Sequence, residues 1–255
     1  MAEDKLPISV VILAKNEASV IGECLASLKP LAAREILVID DDSTDNTASI
    51  AQFNGATVLH HTKKNFAEAR NFGLRKAKND WILYVDADEQ VSPELVTQLR
   101  QAIVFPDSGG AFAILRINYY LGVRWPRIEY LERFFKKSSL IAWYGKVHES
   151  PKYQGSLKQL HGAVIHYTHR SLAEMVENTI IWSEIEAELR YQANHPPVTV
   201  WRIPRVMLPV FFNYYFIQGG WRVGSVGLIE SIYQAFSIFI TYARLWEKQQ
   251  RNKVK

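Results

Sequence analysis

ILYVDADE, residues 82–89, is an apolar run that stops on acids. Its β-branched and aromatic residues suit a strand, and the acids fall where that strand would leave a core. EILVIDDD, residues 35–42, repeats the pattern. ISVVILA, residues 8–14, is a third such run and leads into Lys15-Asn16-Glu17. A shorter strand is expected over residues 57–61.

The intervals between these runs have helical spacing. From Ala18 to Leu28, the residues Val20, Ile21, Cys24, Leu25 and Leu28 share one face. A helix with Ser43 or Thr44 near its N-cap is expected after the second strand, and another from Phe66 to Ala77. Ser92-Pro93-Glu94 opens a further one, with a cap serine, a proline at the first helical position and an acid in the first turn. Strands and helices alternating over short links predict an α/β fold, with a mostly parallel sheet and helices on both faces. Ligands of such sheets bind outside the carboxyl ends of the strands. The tips Lys15-Asn16-Glu17, Asp40-Asp41-Asp42 and Asp86-Ala87-Asp88 should therefore meet at one crevice.

Beyond Gly110 the pattern changes. Residues 111–121, 132–138 and 157–167 read as strands without helices between them, a mixed or antiparallel extension of the sheet. Ser171 and Glu174 form a capping box for a helix running to about Gln192. Met207–Ile217 is apolar and aromatic. From Val226 to Trp246 the polar residues Glu230, Gln234, Ser237, Thr241 and Arg244 make one narrow stripe on a helix otherwise covered in apolar side chains. The uncharged stretch Ser231–Ala243 is shorter than the ~20 residues of a spanning helix. It reads as an interfacial helix, and packing against the catalytic domain or a second subunit is the alternative.

Composition narrows the function classes. Nearly half of the 255 residues are hydrophobic, enough to bury a large core. The single cysteine, Cys24, excludes an internal disulfide and a CxxC metal site; a buried thiol on a helix is the plain reading. The first residues, MAEDKLP, lack the basic start and long apolar stretch of a signal peptide, so a cytosolic catalytic part is expected. From residue 200 onward eight Lys/Arg face only Glu230 and Glu247. This local basic excess, in the most aromatic stretch, favours an anionic membrane surface over nucleic acid.

Two carboxylates at a strand end, Asp86 and Asp88, can hold a hard divalent cation. Magnesium or manganese there would neutralise a diphosphate and help it leave; solvated loop acids are the bland alternative. Asp40 and Asp41 can read a base and a ribose by accepting hydrogen bonds. Asn16 and Glu17, at the first tip, join them as candidate donor-binding residues. Arg70 either approaches a phosphate or braces the acids, with an ordinary surface arginine as the alternative. Asp45 and Thr47 either join this site or simply start the next helix.

VVILAKNE, EILVIDDDSTDNT, AEARNFG and ILYVDADE, in this order over roughly residues 6–105, resemble the family-two glycosyltransferases of the GT-A nucleotide-sugar fold. The resemblance implies that Asp41, with Asp40, contacts the base, and that Asp86 and Asp88 lie at the ribose, metal and diphosphate. It also implies a metal-dependent, inverting transfer from a UDP-sugar. The Q-x-x-R-W motif of processive synthases is absent, which implies single-sugar addition, and aspartate stands at position 42 where the family commonly has glycine. WYGKVHE (143–149) with ERFF (132–135) resembles a bacterial subgroup that includes lipopolysaccharide-core β-1,4-glucosyltransferases. Glu149 is the candidate base that deprotonates the acceptor hydroxyl, although a strand-end acid in a salt bridge fits the same position. His148 is a candidate for metal or phosphate contact and His166 for metal.

The expected organisation is a GT-A catalytic domain over 1–170, with a nucleotide part at about 6–110 and an acceptor part at about 111–170. A C-terminal amphipathic helical region follows over 171–255. The expected partners are a nucleotide-sugar donor, a lipid-linked saccharide acceptor and an anionic membrane, with no nucleic acid and with a homo-oligomer left open. The expected location is the cytoplasmic face of the bacterial inner membrane. A nucleotidylyltransferase is a competing reading, but its glycine-rich triphosphate loop is missing after the first strand. A catalytically silent, membrane-bound nucleotide-binding scaffold is the other.

Overall fold

The computed structural model describes residues 5–104, 109–145 and 149–251. The chain divides into two compact units. The first takes the residues up to Ile117 together with Ile128–His166, and the second takes Asn118–Arg127 and the chain from Tyr167 onward.

In chain order the elements are β1 (Leu6–Ala14), α1 (Ile21–Leu28), β2 (Ala33–Asp40), α2 (Thr47–Phe53), β3 (Thr57–His60), α3 (Phe66–Lys76), β4 (Trp81–Asp86), β5 (Glu89–Val91) and α4 (Pro93–Val104). Then follow β6 (Ala111–Tyr120), β7 (Val123–Lys136), β8 (Leu140–Tyr144), β9 (Ser150–Tyr153), β10 (Leu157–Thr168), α5 (Leu172–Gln192), α6 (Arg202–Phe212) and α7 (Gly224–Arg251). One eight-stranded sheet has the order β3-β2-β1-β4-β7-β6-β10-β5. β1 pairs in parallel with β2 and β4, and β2 with β3. The sheet turns antiparallel where β7 joins β4 and where β5 joins β10. The expected α/β fold is thus present, with its parallel half carrying the polar tips. The short β5 and the β8–β9 hairpin have too few residues for a visible period.

The strands of the parallel half are apolar on both sides because both faces are covered. Ile8, Val10 and Ile12 of β1 pack into one core with α1, while Val11 and Leu13 face a second with α3. Gly73 on α3 lies so close to β1 that an added Cβ would sit 2.4 Å from a Val11 methyl. Caps form where side chains can accept backbone N–H. Asn65 accepts from Glu68 N–H at the start of α3, and Ser92 from Leu95 N–H at the start of α4. Helix α2 begins later than its sequence suggests: Asn46, not Ser43 or Thr44, is its N-cap. The residues before it are drawn into bonds with the loop after β1.

In the second unit, α5 and α6 both pack along α7. Ser171 caps Glu174 N–H, but the Glu174 carboxylate bonds Arg170 rather than closing the capping box. The polar stripe of α7 turns inward. Glu230 and Thr241 are buried, Glu230 accepts from Gln234 and pairs with His169, and Arg244 reaches Glu184 on α5. The outward face is apolar, and Ile232, Phe236 and Trp246 are exposed. Among the described residues one helix, Gly220–Arg251, is long and apolar enough to cross a membrane by length and composition.

Candidate active site

The first two tips are laced together before any ligand is considered. Asn16, at the end of β1, has φ 55°. Its carboxamide oxygen accepts from Thr44 N–H at 2.8 Å, and its own N–H donates to Ser43 Oγ at 2.9 Å. Glu17 N–H donates to Thr47 Oγ1, and Asp45 accepts from both Ala18 N–H and Thr47 N–H. Asn16 therefore acts as a clasp between two loops. Asp45 and Thr47 stand in the same clasp and also begin α2. Asp42 has φ 52°, the left-handed region that favours glycine, and its carboxylate accepts from Thr62 Oγ1. Aspartate tolerates this conformation better than most residues, which accounts for an acid where glycine is common.

The two candidate base readers differ. Asp41 accepts from Lys15 Nζ at 3.1 Å and from Lys63 N–H at 3.0 Å, and Lys63 Nζ stands 3.0 Å away. Burial opposes its ionisation, yet the bonds from Lys63 and Lys15 hold its carboxyl below the ordinary range. Asp40 is almost wholly buried, with Oδ2 shared between Ser43 N–H and His60 Nδ1. Its Oδ1 is buried with no partner among the described residues. An orphaned acceptor costs on the order of 1–3 kcal/mol, so Asp40 Oδ1 is the costly atom of this tip.

The β4 tip holds the densest charge. Asp86 Oδ1 accepts from Arg70 Nη2 at 2.9 Å, and Asp86 Oδ2 from Arg133 Nη2 at 2.8 Å. Burial works against its charge, but the Arg133 and Arg70 guanidiniums hold its carboxyl far below the usual range. Arg70 is 1% exposed, so it is no surface arginine. Its Nε donates to Glu149 Oε1 at 2.9 Å, and its Nη1 is buried without a partner among the described residues. Behind this turn, buried Glu89 accepts Asp86 N–H at 2.9 Å. Burial, reinforced by the Asp86 charge, pushes the Glu89 carboxyl upward. Cys24, a buried thiol as expected, lies 3.6 Å from the Asp86 carbonyl.

The sequence places Asp86 with the ribose, the metal and the diphosphate; in the structure each of its oxygens is bonded to a guanidinium, and it centres an ion-pair network. Asp88 takes a different partner: its Oδ2 lies 3.1 Å from His166 Nε2. Burial lowers the imidazole pKa, but the bond to Asp88 and the Asp88 charge outweigh it and raise it. Among the described residues no three His, Cys, Asp or Glu side chains gather to hold an ion. The Asp88–His166 pair nonetheless supplies a carboxylate oxygen and an imidazole nitrogen, donors that a divalent ion also held by substrate phosphates and water would accept.

Of the expected residues, Asp86, Arg70 and Glu149 form one bonded group, and Asp88 meets His166. His148 lies outside the described residues. Arg133 carries no role in the sequence reading although it stands in the ERFF run. Its function depends on β7 lying antiparallel beside β4, with Phe134 opposite Leu83. Lys15 meets Asp41 as the expected convergence of the first two tips requires, whereas Lys63 and His60 carry no role in the sequence reading, because only the fold brings them to the Asp40–Asp41 tip.

A model of the family described as "Glycosyl transferase family 2" matches residues 9–163. The lipopolysaccharide core biosynthesis glycosyltransferase LpsC of Rhizobium meliloti is 25% identical over 258 residues, covering 96% of this chain and 93% of that protein. An uncharacterized glycosyltransferase of Rickettsia bellii is 28% identical over 257 residues, covering 94% and 86%. Among solved structures, S. aureus TarS 1-349 in complex with UDP-GlcNAc superposes with a TM-score of 0.50 at 15% identity, covering 97% of this chain and 92% of that one. At that identity the likeness is one of fold alone.

Proposed function

This chain belongs to glycosyl transferase family 2, and from its site we propose that it transfers one sugar, glucose by the subgroup it resembles, from a UDP-sugar to a lipid-linked saccharide acceptor with inversion. The proposed setting is the cytoplasmic face of a bacterial inner membrane, with the first unit as catalytic domain. The similarity to LpsC, whose name places it in lipopolysaccharide core biosynthesis, supports the acceptor class.

One observation carries the reading: a single buried guanidinium, that of Arg70, bonds both Asp86 and Glu149. Asp86 belongs to the donor-side tip and Glu149 is the candidate base, so one rigid fork fixes the distance between them. Glu149 Oε1 is occupied by Arg70, leaving Oε2 to take the proton. As the acceptor oxygen attacks the anomeric carbon, its proton passes to Glu149 and the bond to the β-phosphate oxygen of UDP breaks on the opposite face. Attack from one side with departure from the other inverts the configuration. Asp40 and Asp41 hold the base end of the donor, while Lys15 and Lys63 stand beside them as cations. Asp88 and His166 would hold a manganese or magnesium ion, which supplies charge neutralisation for the departing diphosphate.

The test is a panel of UDP-sugars with manganese and bacterial lipid acceptors, with the products read by mass spectrometry. A product heavier than the acceptor by one hexose, of inverted anomeric configuration, is expected. Donor binding with no transfer to any lipid-linked acceptor would overturn the proposal.

A further inference from the structure

In the second unit α7 turns its polar stripe inward and an apolar face outward. Along α7 the stripe that sequence alone would turn to water is spent on internal bonds: Glu230 to His169, Arg244 and Lys248 to Glu184. The outward surface of α6, α7 and the turn between them exposes Leu208, Phe212, Ile217, Trp221, Ile232 and Phe236. Large apolar side chains exposed on neighbouring elements in this number mark an interaction site.

Its rim shows what covers it. The hairpin tip between β6 and β7 packs on the turn before α7. Trp125 Nε1 donates to Gln218 Oε1 at 3.0 Å, and a Cβ on Gly219 would lie 3.3 Å from the Pro126 ring. This brings exposed Arg124 and Arg127 to the same turn as exposed Arg222, whose guanidinium lies 5.2 Å from the Trp221 ring centre. None of the three has a carboxylate partner among the described residues. Arginines unpaired beside an exposed tryptophan and an apolar face complement anionic headgroups lying over acyl chains. The C-terminal cations Arg244 and Lys248 do not, because Glu184 and Glu188 on α5 already neutralise them.

The same helices are poorly suited to crossing. α5, packed along α7, exposes Glu177 and Glu184, and each carboxylate would have to enter hydrocarbon at substantial cost. On a membrane, a flat orientation leaves the acids at the water side while the apolar face is covered.

We infer that the second unit lies flat in the headgroup layer of an anionic membrane, held by the rim Arg124, Arg127 and Arg222 and by the apolar face of α6 and α7. The inference rests on the proposed membrane setting of the enzyme and adds the surface and orientation used.

Flotation of the full chain with phosphatidylglycerol-containing and with pure phosphatidylcholine vesicles tests it, alongside UDP binding and thermal melting as controls of the first unit and of folding. Wild type should float with the anionic vesicles and be released by high salt or an alkaline carbonate wash. Arg124→Gln/Arg127→Gln/Arg222→Gln should lower anionic partition on the order of 100-fold and leave UDP binding unchanged. Arg244→Gln/Lys248→Gln should melt earlier while floating as wild type does. A wild type that floats with a rim variant that floats equally well would overturn this surface and spare the membrane setting. Retention after the carbonate wash would overturn the flat orientation. A wild type that ignores every vesicle would overturn the membrane setting itself, and if it is then a salt-stable dimer, the apolar face is an interface between copies.

Discussion

Arg70 and Glu149 stand 79 positions apart in the chain, yet Nε of one donates to Oε1 of the other at 2.9 Å. The bond matters because the same guanidinium holds Asp86. Asp86 and Glu149 thereby share one rigid guanidinium plane, and four of the predictions below follow from that group and its neighbours.

Arg70→Lys keeps the charge but not the fork. A lysine ammonium cannot bond two carboxylates in a fixed plane, so Glu149 loses its position. We expect a folded protein whose kcat falls by ~10²-fold, the scale of a small misplacement of a reacting group. A melt and steady-state kinetics check this; a kcat within a few-fold of wild type would show that the fork is dispensable.

Glu149→Gln preserves shape and removes the proton acceptor. Loss of a general base costs ~10²–10⁴-fold in rate, and UDP-sugar affinity, measured by calorimetry, should not change. Near-normal transfer would move the role to another acid, with Glu132, which accepts from the Tyr153 hydroxyl, as the next candidate.

Asp88→Asn and His166→Ala should each weaken metal-dependent UDP binding, and EDTA should abolish transfer by wild type. Asp86→Asn acts differently, since Asp86 is bonded to arginines: its metal titration should stay near that of wild type while its stability falls. Activity undiminished by EDTA would remove the ion from the mechanism.

Acid should expose the Asp86 network. Burial raises this carboxyl, but Arg133 and Arg70 outweigh it, so its folded pKa lies below the unfolded one. A depressed carboxyl contributes stability that is complete above the unfolded value, ~3.9, and is lost as pH falls through the range beneath it. The gap in melting temperature between wild type and Asp86→Asn should therefore be full near neutral pH and close below about pH 4. A gap that stays constant into that range would mean the charge of Asp86 contributes nothing.

Packing gives a prediction independent of charge. A Cβ on Gly162 would lie 2.3 Å from Leu95 Cα and 2.4 Å from Leu95 N, so β10 and α4 would have to separate. Overpacking costs ~1–3 kcal/mol where side chains can yield, and here the obstacle is backbone. Gly162→Ala should lower the melting temperature by several degrees, and an unchanged melt would contradict the close approach.

The sequence by itself determined the α/β alternation, the helix caps at Ser92 and Ser171, and the three polar tips, because these rest on local spacing and on side chains reaching backbone a few residues away. The acids Asp40, Asp41, Asp86 and Asp88 were legible for the same reason: each ends an apolar run. Tertiary structure alone decided what those acids touch. Arg133 reaches Asp86 because β7 folds back beside β4, His166 reaches Asp88 from a late strand, and Lys15 and Lys63 meet Asp41 across two loops. It also decided which face of α7 is outside. Periodicity gives a stripe but no direction, and the direction was set by Glu184 and His169, whose charge and hydrogen-bonding groups lie on segments that pack against that stripe.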